Sequence, residues 1–264
     1  GHAVAVSNGT AALYLALLAL DGAGKKIALP AYVCSALRHA VTMAKGENVL
    51  IDTKYDSPNL DLEEVCNKNP QITIIPHTYG IPLNLSNVKK IMFIEDCSHA
   101  LGAKIHGKSV GLQGELGVVS LAATKIITSG GSGGMIFSKN KQLIEKIIDY
   151  IEYDMKMDDT RRFNFQINDL QAAIGREQLR KLPNFIKRRE EIFQKYKTSG
   201  LNLLDISPDD SEIIRPIRFR AVLKTDKQFQ TIKLLKDNGV SSRVLNDEWI
   251  ISKNPAQFPN SFSM

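Results

Sequence analysis

Three short stretches carry residues that could do chemistry together. "SLAATKIITSGGSGGMIF" runs from Ser120 to Phe137 with one charged residue, Lys125, ahead of Gly130, Gly131, Gly133 and Gly134. A P-loop needs its glycines before the lysine and Ser or Thr directly after it, whereas here the glycines follow and Ile126 is next, so phosphate-loop chemistry is disfavoured. An amine in this setting can instead condense with an aldehyde as a Schiff base, and desolvating a lysine frees its nucleophilic neutral form. "IEDCSHALGA" ends an apolar run in Asp96, with His99 three residues on. A carboxylate there can hold a cationic nitrogen, and the imidazole can donate to a ligand oxygen. In "SNGTAA", Gly9 lets the backbone approach a ligand, and Thr10 opens a helix whose free N–H groups favour an anion. The Ser120 hydroxyl can add to that anion site.

Each stretch has a plainer reading on its own. Asn8 or Thr10 can simply cap a helix, Asp96 and His99 can satisfy a turn, and Lys125 can snorkel to the surface. Metal chemistry would need further His or carboxylate ligands at suitable spacing, and none is visible. Taken together, the stretches ask for one ligand. It has an anion for Gly9, Thr10 and Ser120, a cationic ring nitrogen for Asp96 and a carbonyl for Lys125. Pyridoxal 5′-phosphate (PLP) carries all three groups.

The elements that must position these residues read as alternating strands and helices. "TAALYLALLAL" is Ala/Leu-rich and helical. "KIALP", "NVLID", "ITIIP", "IMFIED", "LGVVSLA" and "GMIFS" read as strands, and Val4 and Val6 as a further short one. "AYVCSALRHAVTMA" and "NLDLEEVCNK" read as helices between them. Near-continuous Val/Ile strands alternating with helices predict an α/β fold, a three-layer, mostly parallel sheet covered on both faces. In such sheets ligands bind beyond the carboxyl ends of the strands, where all three stretches fall. "KQLIEKIIDYIEY" predicts a helix, as does the segment from Asn168 or Asp169, with Pro183 expected to kink or divide it. "SGLNLLDISPDDSE" reads as a linker. "IIRPIRFRAVL", "DKQFQTIKLLKDNG" and "VSSRV" then read as strand, helix and strand of a small α+β unit. The expected division is a large domain over 1–196, including the long helices from about 168, and an incomplete smaller one over 197–264.

Composition is that of an ordinary soluble globular chain: 264 residues, 43% hydrophobic, 23% charged, formal net charge +6. The basic residues are spread along the chain, which reads as a solvated surface, and no nucleic-acid motif is visible. Three widely spaced cysteines, Cys34, Cys66 and Cys97, form no disulfide or zinc pattern and fit a reducing cytoplasm. No apolar run is long enough for a bilayer and no signal-peptide pattern is present, so no membrane association is expected.

The stretches "AVSNGTAALYLALLAL", "ALPAYVCSALRHAV", "PHTYGIPLNL", "IEDCSHALGAKIHGKSVGLQGELGVVSLAATKIITSGGSGGMIF" and "RFNFQINDLQAAIGREQLRKLPNFIKRREEIFQKY" resemble, in order, the fold-type-I, PLP-dependent sugar aminotransferases of the DegT/StrS type. The resemblance implies that Lys125 is the Schiff-base lysine and proton shuttle, and that Asp96 keeps the pyridine nitrogen protonated. It places His99 near the cofactor's 3′-oxygen, and Gly9, Thr10, Ala11 and Ser120 at its phosphate. Cys34 maps near the aromatic that stacks on the ring. Asn164 matches an Asn that reaches the phosphate across a dimer, which implies a homodimer with shared sites. The implied reaction moves an amino group from an amino acid, typically glutamate, to a keto group on a nucleotide-linked sugar. The sequence departs from the family pattern at Ser132, Glu115 and Gln166. Against the family, the chain reads as shortened at both ends. A non-catalytic binding or regulatory homologue on the same scaffold is the alternative. A PLP-dependent sugar dehydratase is disfavoured, because those enzymes carry histidine in place of Lys125.

Overall fold

The structure is a computed structural model that describes residues 1–86, 88, 91–244 and 256–263. Its centre is a seven-stranded sheet. In chain order the strands are β1 (His2–Val6), β2 (Lys26–Pro30), β3 (Glu47–Ile51), β4 (Ile72–Pro76), β5 (Met92–Asp96), β8 (Leu116–Ser120) and β9 (Gly134–Ser138). Across the sheet the order is β1-β9-β8-β5-β4-β2-β3. The pairings β3–β2, β2–β4, β4–β5 and β5–β8 are parallel, and β9 runs antiparallel to both β8 and β1.

Period-two alternation sorts the strand residues onto two faces. Ile27, Leu29, Ile72, Ile74, Ile94, Leu116, Val118 and Ile136 pack with helices α1 (Gly9–Ala19), α2 (Ala36–Met43) and α4 (Lys141–Ile151). On the other face Ala28, Ile51, Ile75 and Phe93 pack with Val65 of α3 (Leu62–Lys68). Farther along that face Val119 packs with Leu182 of α5 (Asp169–Thr198). The three-layer, mostly parallel α/β architecture is therefore the one the sequence predicts. Helix α1 is apolar all round because it is covered all round, with Leu13, Leu15, Ala16 and Leu17 nearly inaccessible.

Four expectations need correction. Helix α2 starts only at Ala36, because Ala31 continues β2 by donating to the Ile51 carbonyl and the chain then crosses the sheet edge. Helix α5 runs undivided through Pro183; burial of Leu182, with Phe185 and Ile186 against the same cluster, offsets the hydrogen bond that proline cannot donate. In "IIRPIRFRAVL" only β10 (Ile214–Arg215) is a strand, since Pro216 has no N–H to extend the ladder. It pairs with β6 (Lys104–Ile105), which also pairs with β7 (Lys108–Ser109). "VSSRV" forms no strand. Helix α6 (Gln228–Asp237) follows the expected pattern. The proposed smaller unit includes residues 245–255 and 264, which lie outside the described residues.

Candidate active site

Strands β4, β5 and β8 end side by side in Pro76, Asp96 and Ser120, and a cavity of about 470 Å³ opens beyond them. Asp96 closes β5 and is 8% exposed. Its Oδ1 accepts the Ser98 N–H at 2.9 Å, and the Ser98 hydroxyl accepts the Ser120 N–H at 2.9 Å. This chain of bonds fixes the end of β5 against the end of β8. One residue earlier, Glu95 points away from the cavity and is fully buried. It accepts from His77 Nε2 at 3.0 Å and from the backbone of Gly111, Gln113 and Gly114 at 2.8, 2.6 and 3.0 Å. His77 Nδ1 accepts the Leu83 N–H, which puts the ring proton on Nε2. Burial alone would raise the Glu95 carboxyl; the bonds from His77, Gly111 and Gly114 outweigh it and leave it at about 2.

The N-terminus of α1 forms the second wall. Asn8 caps the helix, its Oδ1 accepting the Ala11 N–H at 2.8 Å. The N–H groups of Gly9 and Thr10 have no acceptor among the described residues, as the first turn of a helix leaves them. A Cβ at Gly9 would stand 2.7 Å from the Ser120 Cβ, so glycine is what lets the helix start reach the end of β8. Of the glycine-rich cluster only Ser132 lines the cavity, and its hydroxyl donates to the Ser7 carbonyl at 2.8 Å.

Lys125 stands on the turn after β8, its N–H bonded to the Ala122 carbonyl at 3.0 Å. It is half-buried rather than buried. Its Nζ lies 5.7 Å from the centre of the Phe219 ring. That ring stacks on His99 with centroids 4.1 Å apart. Burial, with the charges of Lys125 and Arg220, pushes His99 down to about 3, so the imidazole is neutral. Phe219 is held by the turn at Tyr79–Gly80. Ile217 donates to the Gly80 carbonyl at 3.0 Å and Phe219 to the Tyr79 carbonyl at 3.3 Å. Gly80 has φ +86, and a Cβ there would sit 2.1 Å from the Ile217 oxygen.

Of the residues expected from sequence, Gly9, Thr10, Cys34, Asp96, His99, Ser120 and Lys125 all line this one cavity. Ala11 does not; it is buried in the first turn and its N–H belongs to Asn8. Asn164 is exposed, just ahead of α5, and does not line it either. Sequence reasoning missed Ser98, Thr78, Phe219, Arg220 and Arg243, which also line it. The carboxyl-edge rule that found Asp96 and Ser120 would have found Thr78, two residues beyond β4. Thr78 is 3% exposed and its Oγ1 has no hydrogen-bond partner. Phe219, Arg220 and Arg243 arrive from far along the chain and carry no local signal. Among the described residues, no group of three His, Cys, Asp or Glu side chains could hold a metal ion, and no helix is long and apolar enough to cross a membrane.

Helices on both faces of such a sheet, with a lysine and a carboxylate at its carboxyl edge, have the architecture of the type I PLP-transferase fold. A model of the DegT/DnrJ/EryC1/StrS aminotransferase family matches residues 1–254, and the chain belongs to that family. It is 28% identical over 227 residues to GDP-perosamine synthase of Escherichia coli O157:H7, covering 80% of this chain and 62% of that one. It is 29% identical over 220 residues to dTDP-4-dehydro-2,3,6-trideoxy-D-glucose 4-aminotransferase of Saccharopolyspora spinosa, covering 73% and 57%. The fold matches that of Spr1654 from Streptococcus pneumoniae in its PLP form, with a TM-score of 0.86, 18% identity and coverage of 99% and 79%. The chain spans about three fifths of the length of the curated relatives it matches.

Proposed function

We propose that this protein is a PLP-dependent aminotransferase that moves an amino group from an amino acid, glutamate in our reading, to a keto group of a nucleotide-linked sugar. One observation carries the reading: Lys125, Asp96 and the cradle of Gly9, Thr10 and Ser120 meet in a single cavity, although they come from three separate parts of the chain. The unpartnered N–H groups at the start of α1 suit a phosphate, and Thr78 lines the same cavity. The names of the relatives support the substrate class.

When bound, the cofactor supplies an electron sink that lets the C–H bond beside an amine break. Lys125 would hold the cofactor's carbonyl carbon through Nζ, and its amine would serve as the proton carrier. Asp96 would hold the ring nitrogen's proton through Oδ2, while Ser98 fixes the carboxylate's orientation through Oδ1. Neutral His99 would donate to the ring oxygen. Gly9, Thr10 and Ser120 hold the phosphate, with Ala11 completing the turn that presents them. Cys34 borders the ring's face. In this reading residues 1–196 form the cofactor-binding domain and 197–264 a smaller one. Asn164 completes the phosphate site of a second copy; its exposure, and that of the apolar Leu170, Ile174 and Leu179 in α5, support a homodimer. Among the described residues the three cysteines form no disulfide, which supports a cytoplasmic setting.

The test is to add PLP to the purified chain and look for a yellow absorbance band that borohydride fixes on Lys125. Bleaching of the band by glutamate is expected. A band that persists in Lys125→Ala would overturn the assignment.

A further inference from the structure

Two guanidinium groups border the cavity and are unused by the reading above, Arg220 and Arg243. Their neighbour Arg218 shows what a paired arginine looks like here: it meets Glu190 at 2.8 Å and Asp205 at 2.6 Å. Arg220 has no carboxylate partner among the described residues. It meets the Phe219 carbonyl at 3.4 Å and the Phe219 ring at 4.4 Å. Its charged neighbours are like-charged, Arg189 and Arg243, and the Lys125 amine lies 5.7 Å from the centre of the same Phe219 ring. Gathering cations around a half-buried guanidinium costs free energy unless an anion joins them.

Position says which anion. Arg243 lines the first cavity and also a second one of about 530 Å³, walled by Tyr32, Leu204, Ile232 and Leu235. Arg243 therefore stands where two cavities meet, with Arg220 beside it in the first. An amino-acid donor fits within the first cavity alone. A ligand with its negative charge in the middle and a bulky group at each end spans both.

We propose that Arg220 and Arg243 form the subsite for the diphosphate of the nucleotide-linked sugar, with the sugar in the first cavity and the nucleoside in the second. The inference rests on the function proposed above. Guanidinium forks suit phosphate oxygens through paired, charge-assisted bonds.

Isothermal titration of the PLP-loaded protein tests it, with UDP, GDP and dTDP as probes and uridine, guanosine and thymidine as controls. At least one diphosphate is expected to bind wild type. Arg220→Gln and Arg243→Gln should each weaken it roughly tenfold or more, the size of a lost charge-assisted bond, while leaving nucleoside binding unchanged. Arg243→Lys should fall between. The yellow Lys125 band should persist in every variant, which shows that the cofactor site is intact. Equal diphosphate affinity in wild type and the double Gln variant, with the band present, overturns the inference and leaves the aminotransferase reading standing. So does failure of all three diphosphates to bind wild type. Variants that keep diphosphate affinity but lose bleaching by glutamate also overturn it, assigning the arginines to the donor's carboxylate. Absence of the band in wild type fails the aminotransferase reading itself.

Discussion

The rings of His99 and Phe219 lie face to face, 4.1 Å between centroids and 14° between planes. One comes from the end of a central strand, the other from a segment beyond the long helix. Phe219 thus shields the imidazole from water and stands under the Lys125 amine. Phe219→Leu should let water reach His99. NMR titration should then show the imidazole moving up from about 3 toward its ordinary 6.5. Phe219 is 4% exposed, so Phe219→Ala should also cost about 3–5 kcal/mol in urea denaturation.

Asp96 and Ser98 can be separated by substitution. Asp96→Asn keeps an acceptor for the Ser98 N–H but removes the charge. The cofactor band should still form, and transamination with glutamate should fall to near background. Ser98→Ala leaves the Asp96 charge but strips the Ser120 N–H of its acceptor. It should cost about 1 kcal/mol, read by denaturation, and should weaken PLP affinity through the displaced Ser120.

Acid should destabilise the fold in two stages. The folded state keeps His99 neutral down to about 3, whereas the unfolded chain takes up a proton near 6.5. The unfolded state therefore binds more protons between those values, and stability falls as pH drops from 6.5 toward 3. Glu95 titrates at about 2 when folded against an ordinary 4.5. Its contribution is full above 4.5 and is lost as pH falls through 2. Thermal melts across this range should show both stages. His99→Gln should flatten the upper one, and Glu95→Gln the lower one.

Gly80→Ala places a methyl group 2.1 Å from the Ile217 oxygen at a backbone angle that disfavours any side chain. The 217–219 segment should shift away from the turn. The measurable result is loss of the His99–Phe219 ring-current shift in NMR, with a lowered melting temperature.

Much of this was legible in the sequence. The apolar runs and Ala/Leu periodicity are local signals, and they predict the strands and the first helix nearly to the residue. The carboxyl-edge rule then brings Asp96, Ser120 and Lys125 together without a structure. What the sequence hides is long-range. "IIRPIRFRAVL" alternates like a strand, yet Pro216 cuts the ladder, and the next residues pair with the turn at Tyr79–Gly80 instead. Phe219 and Arg220 reach the cavity only through that docking. The start of α2 fails for a related reason: "AYVC" has helical residues, but the need to continue β2 beside Ile51 wins over propensity.

The reversed direction of β9 has a mechanical meaning. Because β8 and β9 are antiparallel neighbours, with Ser120 opposite Gly134, the loop bearing Lys125 leaves and re-enters the sheet at adjacent points. Leu121 and Ala123 stitch its lower part to Gly133 and Gly131 at 2.8 and 3.1 Å. A crossover through a helix would have carried the chain away and let the lysine's position drift with distant packing. Here the amine rides on a short tether with both feet planted. Its reach is set by the length of that loop alone, and the rest of the scaffold can diverge without moving it.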